Sequence, residues 1–107
     1  MLLDKGAAID AKNIDDSTAL HFAADNGHFE VVKMLLDKGA AIDAQGADGR
    51  TALHLAAYKG HVEVVKILLD KGAAIDAQVA DGRTALHLAA DDGHIEVVKA
   101  FIDAKST

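Results

Sequence analysis

The stretch TALHLAAYKGHVEVVKILLDKGA, Thr51–Ala73, decides how the rest of the chain is read. Thr51 can accept a hydrogen bond from the first free amides of a helix, and Ala52, Leu53, Ala56 and Ala57 then fall on one apolar helical face. Gly60 ends that helix and permits a tight turn. Beyond it Val62, Val65, Leu68 and Leu69 keep the spacing of a second amphipathic helix, Val64 and Ile67 widen its stripe, and Gly72 supplies the stop. The residues that follow, Asp76-Ala77-Gln78-Val79-Ala80-Asp81-Gly82, read as a connector that turns at Asp81-Gly82.

The same pattern occupies the flanking sequence. TALH begins at Thr18, Thr51 and Thr84, a period of 33 residues. Gly27-His28, Gly60-His61 and Gly93-His94 keep that register, each followed by a glutamate at Glu30, Glu63 or Glu96. LLDKGAAIDA begins at Leu2, Leu35 and Leu68 in the same frame. Three landmarks in one register define an internal repeat. Helices of about 8 to 12 residues are not stable alone in water, so the units must stack. Composition agrees: the aromatics are only Phe22, Phe29, Tyr58 and Phe101, while alanine is abundant. Burial must therefore come from close approach of thin, regular layers.

Thr51–Ala73 resembles the ankyrin repeat at nearly every framework position, and the resemblance extends over essentially the whole chain. It implies an all-α, helix-loop-helix repeat solenoid with projecting loops, each unit an antiparallel helix pair with a hairpin-like extension. The expected organisation is a partial unit and connector over 1–17, repeats over 18–50 and 51–83, and a truncated terminal repeat over 84–107. There are departures. Ala19, Ala52 and Ala85 stand where the family commonly has proline, which removes a preset backbone angle but leaves a good helix former. Asn13, Gly46 and Val79 replace the usual connector aspartate, so loop bonding is expected to be weakest at Val79. Asp16 replaces the glycine found at Gly49 and Gly82, which singles out the first loop as the irregular one.

Charge and composition remove several function classes. A net charge of -6 offers no broad phosphate-binding surface, which argues against nucleic acid. The lack of cysteine excludes disulfides and thiolate metal sites. Asp4 and Lys5 interrupt Met1-Leu2-Leu3 too early for a signal-peptide core, and no stretch reaches the roughly 20 apolar residues that span a bilayer. A soluble, cytoplasmic protein without a membrane partner is expected, with signal-independent secretion left open.

The titratable residues repeat with the framework. The pairs His21/His28, His54/His61 and His87/His94 are each split by the turn glycine, so the helical metal motif with ligands four apart is absent. The resemblance implies that these histidines organise turns and join adjacent repeats. Glu30, Glu63 and Glu96 lie near second-helix starts, where they complement exposed amides. Asp37 and Asp70 sit at helix ends and are expected to face solvent, while Asp10, Asp43 and Asp76 orient connector amides. No phosphate loop, nucleophile elbow or differentiated carboxylate pair appears, and neither catalysis, a metal nor a cofactor is expected.

The functional clue is the contrast between fixed and varying positions. The connector tips and first-helix ends change from unit to unit: Lys12, Ile14, Asp15, Ser17, Asp25 and Asn26 in the first; Gln45, Ala47, Asp48, Arg50, Tyr58 and Lys59 in the second; Gln78, Ala80, Asp81, Arg83, Asp91 and Asp92 in the third. The resemblance implies that these residues line a concave surface that binds protein. Tyr58 is the best single anchor, Arg50 and Arg83 can fork onto carboxylates, and the aspartates favour a basic or mixed-charge partner segment. The alternative is a consensus-like structural scaffold or an excised fragment of a longer array. It would have no natural partner of its own and would self-associate through uncapped ends at Leu2/Leu3 and Phe101/Ile102.

Overall fold

A computed structural model describes residues 9–105. Six helices form three pairs: α1 (Ala19–Asp25) with α2 (Phe29–Asp37), α3 (Ala52–Lys59) with α4 (Val62–Asp70), and α5 (Ala85–Asp91) with α6 (Ile95–Lys105). The first helices pack in the order α1, α3, α5 and the second helices in the order α2, α4, α6, giving two layers. Among the described residues the connectors add only a short 3-10 turn at Ala47–Gly49 and one antiparallel bridge between Gln78 and Thr84. Among the described residues no helix is long and apolar enough to cross a membrane.

Each first helix begins with one reciprocal cap. The hydroxyls of Thr18, Thr51 and Thr84 accept from the backbone N–H of His21, His54 and His87, whose Nδ1 atoms accept from the threonine N–H at 2.9 Å. Histidine thus takes the place of the glutamate or glutamine usual in such boxes. Each alanine after the threonine opens its helix without needing proline geometry.

Helices α2 and α4 stop by a shared device. After α4, Gly72 adopts φ +90°, its N–H donates to the Leu69 carbonyl, and the Ala73 N–H reaches back to Leu68. The last carbonyls of the helix are satisfied in this way.

The core runs between the layers. Ala23, Ala24, Ala56, Ala57 and Ala89 give the thin first-helix faces, against which Val32, Val64, Val65, Leu68 and Val97 pack. Fully burying one such branched side chain is worth about 1.5–3 kcal/mol. Phe101 is completely buried (0% exposed) and belongs to this core. This corrects its assignment to an associating end: the α6 face carrying it turns inward, and Ile102 is the exposed neighbour. Leu2 and Leu3 lie outside the described residues.

The hairpins keep one pair of closing hydrogen bonds despite their different sequences, although the middle tip alone also holds its Asp48 at φ +60°. The N–H groups of Asn13, Gly46 and Val79 donate to the carbonyls of Ser17, Arg50 and Arg83 at 3.0, 2.7 and 2.9 Å. Those of Asp16, Gly49 and Gly82 close the tips by donating back to the carbonyls of Asn13, Gly46 and Val79. Asp16 adopts φ +62° where the later units have glycine at φ +77° and +89°. Aspartate tolerates the left-handed region better than most residues, so the first hairpin is preserved. Val79 is not a weak point either: its side chain is buried, and its backbone makes both hairpin bonds.

Candidate functional site

The varying positions lie on a backbone held from behind by the repeated histidines. Because Nδ1 of His21 and His54 accepts the threonine N–H, Nε2 carries the hydrogen. It donates from His21 to the Ala44 and Arg50 carbonyls at 3.0 and 3.1 Å, and from His54 to the Ala77 carbonyl at 2.9 Å. Helices α1 and α3 are thereby each tied to the next connector. The other histidine of each turn works in the opposite direction: His61 donates to the Asp25 carbonyl at 2.9 Å, and His94 to the Tyr58 carbonyl at 2.8 Å. The backbones of Asp25 and Tyr58 are fixed while their side chains face outward.

Connector carboxylates add further ties. Asp10 accepts from the Ala41 N–H and Asp43 from the Ala74 N–H, both at 2.8 Å, so each aspartate orients an amide of the following unit. Asp76 accepts instead from the Lys105 ammonium. Asp37 is exposed as expected, yet it also meets Lys71 at 3.3 Å. Such an exposed pair adds little stability.

None of the eighteen positions marked out by variation from Lys12 to Asp92 is buried. Ile14 is fully exposed (100%) at its hairpin tip, and Tyr58 is 43% exposed at the end of α3. Ala47, Asp48, Ala80 and Asp81 are exposed at the other tips, and Asp91 and Asp92 at the end of α5. Ser17 and Arg50 are half-buried at hairpin bases, and Asp25 is half-buried at the end of α1. The side-chain network brings several of these together. The Arg50 guanidinium lies 5.9 Å from the Tyr58 ring centroid, joining hairpin and first helix. Lys59 pairs with Asp25 at 3.3 Å across adjacent units, and the Lys12 ammonium donates to the Gln45 carbonyl at 2.7 Å.

The structure also shows bonds within the surface that spacing could not reveal. The Asn13 side chain accepts from the N–H groups of Asp15 and Ser17, making an Asx turn. Asn26 donates to the Phe22 carbonyl at 2.9 Å. Arg83, read from sequence as a free fork, already meets Asp81 through Nε at 3.0 Å. The Arg83 backbone N–H and guanidinium hold the Asp81 carboxyl below the usual carboxylate range. Asp81 and Asp25 are therefore partly neutralised, whereas Asp15, Asp48, Asp91 and Asp92 make no ion pair among the described residues.

Sequence reasoning passed over Phe22, which is 50% exposed. It stands in the TALH framework, and its one signal is an aromatic where the later units have Leu55 and Leu88.

Concavities are shallow and lie elsewhere. One of about 250 Å³ runs between α4 and α6 beside Leu69 and Ala100, and one of about 400 Å³ follows α2 beside Lys33 and Met34. Neither contains a varying position. Among the described residues no group of three or more His, Asp or Glu side chains is placed to hold a metal ion.

Stacked helix pairs, capped by Thr and His and bearing outward hairpins, define a helical-repeat solenoid. The chain belongs to the ankyrin-repeat family: the family model described as ankyrin repeats (3 copies) matches residues 1–79 and again residues 40–107. Comparison with curated proteins gives no match. Ankyrin repeats are a non-catalytic structural family, and the fold supports a protein-interaction or scaffold role.

Proposed function

We propose that the protein is a recruitment module that binds a protein segment across its hairpin tips and the ends of its first helices. The observation that carries this reading is the Arg50–Tyr58 contact, 5.9 Å from guanidinium to ring centroid, on a backbone fixed by the His21 bond to the Arg50 carbonyl and the His94 bond to the Tyr58 carbonyl. A half-exposed aromatic and a guanidinium held together make a preorganised anchor, since little side-chain freedom remains to be lost on binding. Ile14, Ser17, Asn26, Gln45, Lys59 and Ala80 border that anchor in the neighbouring hairpins and helix ends, where they supply complementarity more than energy.

The partner chemistry follows from charge. Asp15, Asp48, Asp91 and Asp92, which make no ion pair among the described residues, flank the anchor and favour a basic or mixed-charge segment. A flat, hydrogen-bonded floor without a deep pocket suits a protein better than a small molecule.

The test is quantitative capture from source-cell lysate, followed by titration of the purified partner. The variant Tyr58→Ala/Arg50→Glu/Arg83→Glu should bind roughly tenfold more weakly or worse while keeping its helical circular dichroism. Lys66→Glu on the second-helix layer should bind as the native chain does. Equal affinity for the triple variant rejects this surface.

A further inference from the structure

The second-helix layer is joined twice, α2 to α4 and α4 to α6, and the two joints differ in two side chains one helical turn apart. At the first joint Ile67 is half-buried against the core, and the Lys71 ammonium reaches the Asp37 carboxylate at 3.3 Å. The 33-residue register puts Ala100 and Ala104 in those two places at the second joint. An aliphatic branch and an ammonium are thus missing from the same face.

The groove of about 250 Å³ between α4 and α6 lies where they are missing, lined by Lys66, Leu69, Asp70, Ala100, Asp103 and Ala104. Its walls are two neighbouring units, so it belongs to the joint itself and to neither end of the array. Leu69 is half-buried and Ala100 is nearly covered at 7% exposed, which makes the base of the groove apolar. Asp70 and Asp103 are exposed at its rim, and neither makes an ion pair among the described residues. Asp70 is the counterpart of Asp37, which has Lys71 as its partner. Lys66 joins the same lining, but two carboxylates against one ammonium leave the groove negative.

We propose that this groove receives a lysine side chain of a partner protein. The stem lies along Leu69, Ala100 and Ala104, and the ammonium sits between Asp70 and Asp103. A lysine stem covers apolar surface while its charged head stays at the wet rim. The chain fills the matching place at its first joint with an aliphatic branch and a lysine, and the rim charge of the second joint selects the same cation. The groove shares no residue with the proposed recruitment surface, so the two are tested apart.

The probe is the blocked pentapeptide Ala-Ala-Lys-Ala-Ala, titrated into the isotopically labelled full chain and followed by methyl and amide shifts at Leu69, Ala100 and Ala104. Saturable shifts with a dissociation constant in roughly the millimolar range are expected. The same peptide with norleucine for lysine keeps the stem and loses the ammonium, and it should bind about threefold more weakly or worse. Asp70→Asn should weaken the lysine peptide and leave the norleucine peptide unchanged. Ala100→Ile/Ala104→Lys copies the first joint's own residues and should abolish binding of both peptides, with folding checked by circular dichroism. A native chain without saturable shifts overturns the proposal. Equal binding of the two peptides does so too, because the groove would then be apolar only. Undiminished binding by the filled variant would put the peptide elsewhere, with the same consequence. Shifts that follow the concentration of the protein alone would give the groove to a second copy and likewise overturn it.

Discussion

His54 shows how one residue serves several levels of the structure. Its Nδ1 accepts from the Thr51 N–H, its Nε2 donates to the Ala77 carbonyl, and its ring is buried between units. Burial holds its imidazole below the ordinary value of 6.5, the Ala77 bond acts in the opposite sense, and the Arg50 charge adds to the lowering. The unfolded chain therefore takes up the proton more readily than the folded one. The resulting stability is complete above the unfolded value and is lost as pH falls through the lower folded value. Urea midpoints should hold steady from about pH 8 to about pH 7 and decline below about pH 6.5. His54→Gln should make that decline shallower, whereas an unchanged pH profile in this variant would remove His54 as a cause. Asp81, also held low, contributes its loss only in the more acidic range of carboxylates, and weakly because it is exposed.

At the scale of elements, turns and joints are one device. Gly60 has φ +76°, and a Cβ there would meet the His94 ring at 2.8 Å; Gly93 has φ +71° and open space. Alanine at either position incurs about 1–2 kcal/mol of left-handed strain. Only Gly60→Ala must also push a histidine out of its seat. In chemical denaturation Gly60→Ala should therefore be the more destabilising by about 1 kcal/mol or more. Equal losses would show that the ring contact contributes nothing.

The elements were legible because TALH and GH keep one period through all three units and LLDKG keeps the same period at Leu2, Leu35 and Leu68. The hairpins were less so. Asp16 and Val79 looked like weak points because side-chain identity was weighed alone, but the tips are closed by backbone bonds that aspartate can satisfy and valine does not disturb. Phe101 was misplaced because the apolar end of the last helix was read as an uncapped surface, while its own face of α6 lies in the core.

For the whole molecule, the buried core and the proposed recognition surface draw on different residues. Alanines and branched residues fill the space between the layers, the histidines lock neighbouring backbones, and the polar variation between units gathers at hairpin tips and first-helix ends. Variation between units marked those positions in the sequence. It could not show that Arg83 is engaged by Asp81, that Arg50 lies against Tyr58, or that Phe22 is uncovered, because these depend on approach between residues in three dimensions. Amide hydrogen exchange of the chain, free and bound to its captured partner, tests the central claim most directly. The account predicts added protection in the three hairpins, residues 13–17, 46–50 and 79–83, and at the ends of α1, α3 and α5. Protection confined to α2, α4 and α6 would contradict it.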